Sequence, residues 1–192
     1  MTEFSAQDAP GAFWVLMAIY WGSETLFLLR MRAGTADRAD DRGSSRVLAI
    51  LFTVAWFAAW ALSAAVRFSF STPAVIRTGL LLMTLALLLR WWSIATLGRL
   101  FTVNVAIRTE HRLIEDGPYR WVRHPAYTAI LLFHLGAALC LGNLLSLIAL
   151  MLPALIALLN RMRVEENVLL ENFGDSYRQY MKRTKRLIPV IY

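Results

Sequence analysis

Apolar residues gather into five runs, at about 11–29, 47–66, 74–97, 126–141 and 144–160, with polar stretches between them. The longer runs match the ~20 residues a helix needs to cross ~30 Å of hydrocarbon. The last two are shorter and are separated only by Gly142 and Asn143, a strong turn signal, so they form a tight helical hairpin. The pattern predicts an all-α fold: a polytopic membrane bundle of about five transmembrane helices ending in that hairpin. The leader MTEFSAQDAP has no basic residue and contains Glu3 and Asp8, so the first run is expected to remain in the mature protein.

Composition agrees. Of 192 residues 58% are hydrophobic and 17% charged, below the roughly 25% charged typical of soluble domains. Lysine and arginine then orient the spans. Five fall in 30–46, five in 98–125 and seven from 161 onward, against two in the leader and the 67–77 connection together. By the positive-inside rule this places the amino terminus outside and the carboxyl terminus in the cytoplasm. Residues 1–97 are expected to supply three transmembrane helices with a cytoplasmic loop at 30–46, and residues 98–192 the core that carries chemistry. The stretch RAGTADRADDRGSSR in that loop is solvated and carries no assigned chemistry.

The net charge of +7 comes from residues flanking the spans, with no nucleic-acid motif, so the expected counter-charge is anionic headgroups rather than nucleic acid. Cys140 is the only cysteine and lies in an apolar run, which gives no disulfide framework and no metal set; it reads as packing.

The densest polar cluster, GPYRWVRHPAYTAI at 117–130, stands at the threshold of the fourth run. Pro125 suits the first position of a helix and places His124 at its cap, where free N–H donors attract an anion. Arg120 and Arg123 add to that field, and Tyr119, Trp121 and Tyr127 offer flat faces for a ring. Such residues also collect at interfaces as anchors; the compact Arg-His-Pro core favours a site. A second cluster follows the fifth run, where Arg161 and Glu165 share a helical face at i,i+4 spacing. An exposed ion pair there is worth about 0.3–0.5 kcal/mol, but Arg161 also lies at headgroup depth, where an anionic substrate would be held. The Gly142–Asn143 turn folds the fifth run back, so both clusters meet at one mouth. Two charges lie deep inside runs, Glu24 and Arg90, at similar depth, which either pair or leave Arg90 to snorkel.

The elements HRLIEDGPYRWVRHPAY, then a hydrophobic hairpin, then RMRVEENVLLENFGDSYRQY and a basic KRTKRLIP resemble the isoprenylcysteine carboxyl methyltransferase family and its phospholipid methyltransferase relatives, over residues 96–189. The resemblance is to a compact prokaryotic form, which would lie in the inner or plasma membrane. It implies an integral-membrane enzyme with a cytoplasmic cofactor pocket that transfers a methyl group from S-adenosylmethionine, leaving S-adenosylhomocysteine, to a membrane lipid or lipidated acceptor. By motif position Asn104, His111, Arg112, Leu113, Ile114, Tyr119, His124, Pro125, Ala126, Tyr127 and Glu165 would contact the cofactor. Arg161 would face the acceptor, and Arg161 and Glu165 would be the catalytic pair. Ala129 stands where the family often has glycine. A prenylcysteine-like carboxylate is the leading acceptor, with a phospholipid amine or long-chain phenol as alternatives. None of the glycines forms a G-x-G, so a nucleoside would be held by helix ends and loops. The competing readings are a non-enzymatic protein that binds anionic lipid and, by fold-level analogy, a membrane reductase.

Overall fold

The computed structural model describes residues 11–30, 38–39, 44–65, 70, 72–101, 106–107 and 113–189. Five helices, α1 (Gly11–Arg30), α2 (Ser44–Ala65), α3 (Pro73–Leu97), α4 (Pro125–Leu141) and α5 (Leu144–Arg183), carry the fold. A two-residue antiparallel pairing of Arg38–Ala39 with Ala106–Ile107 is the only sheet among the described residues. α1, α2, α3 and α5 are long and apolar enough to cross a membrane, and α4 is a shorter apolar helix of 17 residues. The chain is an integral membrane protein, an all-helical bundle whose outer faces carry exposed Ile50, Phe57, Leu81 and Leu152, side chains suited to lipid.

Local chemistry sets the helix ends. Thr72 caps α3, its hydroxyl accepting from the Val75 N–H at 3.2 Å, and Pro73 opens the helix. Gly142 ends α4 in the left-handed conformation (φ 74°), which glycine adopts without a Cβ clash. Asn143 then caps α5, its side chain accepting from the Ser146 N–H at 2.8 Å. The hairpin therefore turns at the predicted dipeptide. The fifth helix runs on past the apolar run and past the helical face expected at Arg161 and Glu165, as far as Arg183, because the Arg and Glu residues that follow are themselves good helix formers. Only Gly174 (φ 50°, ψ −120°) leaves helical geometry, and there the axis breaks.

α4 lies at the centre. On one side it packs against α3 and α1 through Phe13, Tyr20, Met83, Ala86, Leu87, Phe133, Ala137 and Cys140. On the other, Ile130 meets Phe52 of α2 and Ala154, Ala157 and Leu158 of α5. His134 is fully buried in this helix. Its Nδ1–H donates to the Ile130 carbonyl of its own helix (2.8 Å), which leaves Nε2 to accept from the Trp56 indole (3.2 Å) and so tie α2 to α4. The Ser146 hydroxyl ties α5 to the Ala59 carbonyl of α2 at 2.7 Å.

Where α3 and α4 cross, two glycines face each other. A Cβ on Gly136 would stand 2.6 Å from the Gly79 carbonyl oxygen and 2.9 Å from the Met83 nitrogen. Backbone cannot yield as a flexible side chain can, so Gly136→Ala should part the helices and lower stability by about 1–3 kcal/mol. Unfolding in detergent micelles checks this; a variant as stable as the parent would show that the crossing relaxes freely.

Candidate functional site

At the polar end of the α4–α5 hairpin, four pieces of chain converge. A 3-10 turn at Gly117–Arg120 leads through Val122 and Arg123 into α4. The stem of α5 rises beside it. Beyond the Gly174 break, the last part of α5 returns, and residues 185–187 run alongside 122–124. The Arg123 N–H donates to the Lys185 carbonyl (2.8 Å) and the His124 N–H to the Arg186 carbonyl (3.0 Å). The Thr128 hydroxyl donates to the Leu187 carbonyl at 2.7 Å. The carboxyl-terminal segment is thus stitched across the start of α4.

Glu166 holds this junction. Its side chain is 4% exposed and receives three cationic or ring donors: Arg123 Nε at 3.0 Å, His124 Nε2 at 3.2 Å, and Arg186 through Nε (3.0 Å) and Nη2 (2.6 Å). Burial alone would raise the Glu166 pKa; hydrogen bonds from His124, Arg186 and Arg123 outweigh it and hold the carboxyl at about 2. Arg123 also donates to the Met181 and Thr184 carbonyls. The anion-attracting field expected of Arg123 is therefore directed inward, onto Glu166 and backbone oxygens. Because an ionised carboxylate can only accept, His124 Nε2 carries a hydrogen.

Glu165, one residue earlier, points elsewhere. Neighbours on a helix diverge by about 100°, so the two adjacent glutamates face different ways, with the His124 ring between them, its Nδ1 3.9 Å from Glu165 Oε2. Glu165 keeps 33% of its side chain exposed. Its Oε2 accepts from the Tyr127 hydroxyl at 2.6 Å, and that hydroxyl accepts from Arg161 Nε at 3.3 Å. Arg161 is 4% exposed. The order Arg161–Tyr127–Glu165 joins the two sequence clusters through one phenol. The Tyr127 ring stacks on His124, with centroids 5.4 Å apart and planes 16° off parallel.

Of the residues marked from the sequence, Tyr119, His124, Pro125, Ala126, Tyr127, Arg161 and Glu165 lie in this junction. Leu113 and Ile114 are half-buried just before the 3-10 turn. Asn104, His111 and Arg112 lie outside the described residues. Arg120 and Trp121 face outward, Trp121 edge-on to Trp92. Sequence reading passed over Glu166, Arg186, Tyr177 and Tyr180. The adjacency of two glutamates was the available signal, since one of them had to face inward. Tyr180 donates to the Tyr119 carbonyl at 2.7 Å and so supports a marked residue from below.

The pairing of the two charges inside the helices is resolved by geometry. Arg90 Nε and Nη2 grip Glu24 Oε1 and Oε2 at 2.8 and 2.9 Å, a bidentate bridge from α3 to α1. Arg90 Nη1 also reaches the Ala126 carbonyl at 3.4 Å, so the bridge touches the first turn of α4.

Chemically, the junction offers an accessible carboxylate, a phenol, a stacked aromatic pair and one buried guanidinium at the edge of an apolar bundle. This set suits a ligand with cationic and hydroxyl groups and a flat ring.

Residues 79–171 match the isoprenylcysteine carboxyl methyltransferase family. The chain is 34% identical over 115 residues to protein-S-isoprenylcysteine O-methyltransferase B of Arabidopsis thaliana, covering 59% of this chain and 58% of the relative. It is 36% identical over 105 residues to the protein-S-isoprenylcysteine O-methyltransferase of Schizosaccharomyces pombe, covering 54% and 44%. For the Saccharomyces cerevisiae enzyme of that name the identity is 32% over 126 residues, covering 65% and 53%. The chain spans about half the length of the curated relatives it matches. Among solved structures it is similar to the eukaryotic intramembrane Ras methyltransferase, an isoprenylcysteine carboxyl methyltransferase, with a TM-score of 0.70 at 23% identity, over 96% of this chain and 67% of that one. The two share a fold.

Proposed function

We propose that the chain, whose residues 79–171 match the isoprenylcysteine carboxyl methyltransferase family, methylates the carboxylate of a prenylcysteine-like acceptor held in the membrane, with S-adenosylmethionine as donor. The observation that carries this reading is the Arg161–Tyr127–Glu165 chain at the mouth of the hairpin, inside the matched stretch. Residues 98–192 form the methyltransferase core, and residues 1–97 supply the membrane helices that brace it. All five helices cross the bilayer, the amino terminus lies outside, and the mouth opens to the cytoplasm, where the donor is dissolved. The basic loops support this orientation.

When bound, S-adenosylmethionine supplies a methyl group on a sulfonium that is already a good leaving group. The protein's part is to hold, orient and dehydrate. Glu165 offers a carboxylate to the donor's cationic side. His124, Pro125, Ala126 and Tyr127 form a wall, with Tyr119, Leu113, Ile114 and, outside the described residues, Asn104, His111 and Arg112 completing the grip. Arg161 holds the acceptor carboxylate at headgroup depth. An acceptor carboxylate is ionised at neutral pH and needs no base. This fits His124, whose Nε2 hydrogen is committed to Glu166.

Two expectations separate the roles. Glu165→Ala should weaken S-adenosylhomocysteine binding roughly 10- to 100-fold, and Arg161→Ala should raise the acceptor KM by a similar factor with little change in donor affinity. The reverse pattern would exchange the two assignments. The reaction itself is tested with purified protein in detergent, methyl-labelled donor, and three acceptors: a prenylated cysteine with a free carboxyl, an amine-bearing phospholipid and a long-chain phenol. The reading predicts a base-labile methyl ester on the first. Transfer to either of the others instead would overturn the carboxylate assignment, and transfer to none by folded protein would overturn the enzymatic reading.

A further inference from the structure

Among the described residues one buried side-chain polar atom has no hydrogen-bond partner, the hydroxyl of Tyr177. The residue is 1% exposed. A hydroxyl removed from water without a partner is destabilising, and a phenylalanine would fill nearly the same volume without that cost. The neighbouring polar groups are engaged elsewhere. The Tyr180 ring lies 5.9 Å away, centroid to centroid, and its hydroxyl is directed to the Tyr119 carbonyl. Glu166 is filled by Arg123, His124 and Arg186.

Tyr177 reaches this place through the Gly174 break, after which residues 175–183 turn back onto the start of α4. Burial first, then the fields of Glu166 and Glu165, push the phenol above its ordinary range, so it stays a neutral O–H at working pH and lies within reach of both carboxylates' fields. It belongs to the same junction as Glu165 and Tyr119, but lies beyond the stretch that matches the family and carries no role assigned from the sequence.

We propose that the Tyr177 hydroxyl is a hydrogen-bond contact to the bound methyl donor, completed only when the nucleoside occupies the junction. The inference rests on the donor-binding reading above. It makes the segment after the Gly174 break part of the binding site rather than a tail that merely packs on it. A contact that waits for its ligand differs from a structural hydrogen bond in one measurable respect: its loss weakens binding without weakening the empty protein.

The test uses the full chain and Tyr177→Phe in detergent micelles, with S-adenosylhomocysteine as the calorimetric titrant and thermal unfolding of both proteins without ligand. The expected result is binding about tenfold weaker in the variant, with a ligand-free midpoint equal to the parent's or higher. Equal affinity in parent and variant would overturn the Tyr177 contact alone, leaving a buried water as its partner. A lowered ligand-free midpoint would overturn it by making the hydroxyl a prop of the fold. A folded parent that does not bind the titrant at all would overturn the donor reading and this contact together.

Discussion

Replacing Glu166 by glutamine is expected to destabilise the folded protein by about 3–5 kcal/mol, the range found when one partner is removed from a buried charge cluster. The amide keeps the shape but leaves the Arg123 and Arg186 guanidiniums facing each other without a counter-charge. Those two arginines and His124 are what fasten the 122–124 and 185–187 segments together. The matching change at Glu165, a third exposed and held by the Tyr127 hydroxyl, should cost far less. Unfolding of the two variants side by side in one detergent checks the contrast. Acid gives the same test without mutation. The folded pKa of Glu166 lies near 2, below its ordinary value near 4.5, so its stabilising contribution is complete above about pH 4.5 and is lost as pH falls through 2. Acid unfolding of the parent should therefore show a component in that window that Glu166→Gln lacks. Equal stability in Glu165→Gln and Glu166→Gln would mean that the junction is not held by this carboxylate.

The second large effect concerns the bridge inside the bundle. Arg90→Leu or Glu24→Gln should each lower stability by about 3–5 kcal/mol, because each strands a charge inside the bundle without its counter-charge. The double variant Glu24→Leu/Arg90→Leu should recover most of that loss, since an apolar pair suits the surroundings. Affinity for S-adenosylhomocysteine should not recover. Arg90 Nη1 holds the Ala126 carbonyl in the first turn of α4, and a leucine leaves that carbonyl unanchored. A double-mutant cycle on unfolding, with binding measured on the same four proteins, separates packing from positioning. Single variants that keep both stability and binding would show that the pair is incidental.

The helices and the hairpin were legible because lipid leaves the chain few options. A run that must satisfy all of its own backbone groups in hydrocarbon shows itself by length and apolarity, and Gly142–Asn143 has the left-handed glycine and side-chain cap that a tight turn needs. The meeting of the two polar clusters followed from that turn. The pairing of Glu24 with Arg90 was one of two open readings, and depth along the helices was enough to bring it into view. What escaped the sequence is long-range and polar. Glu166 sits in a run of charges, and a charged helix beyond a membrane span looks solvated until a distant segment covers it. That segment, Lys185 to Leu187, looks like a basic tail, and its pairing beside 122–124 is a single parallel bridge with no periodicity to announce it. Arg123 appeared to strengthen an anion site for the same reason: nothing local tells that its donors are directed to Glu166, Met181 and Thr184. Gly174 looked like any glycine in a polar stretch, yet its backbone angle decides that Tyr177 and Tyr180 return to the site.

Cross-linking locates the donor directly. Labelled S-adenosylmethionine is irradiated with the folded protein, with and without excess S-adenosylhomocysteine, and the labelled peptides are identified by mass. The account predicts label in residues 113–128 and 161–183, removed by the competitor; label confined to α1 or α2, or label that the competitor does not displace, would contradict it.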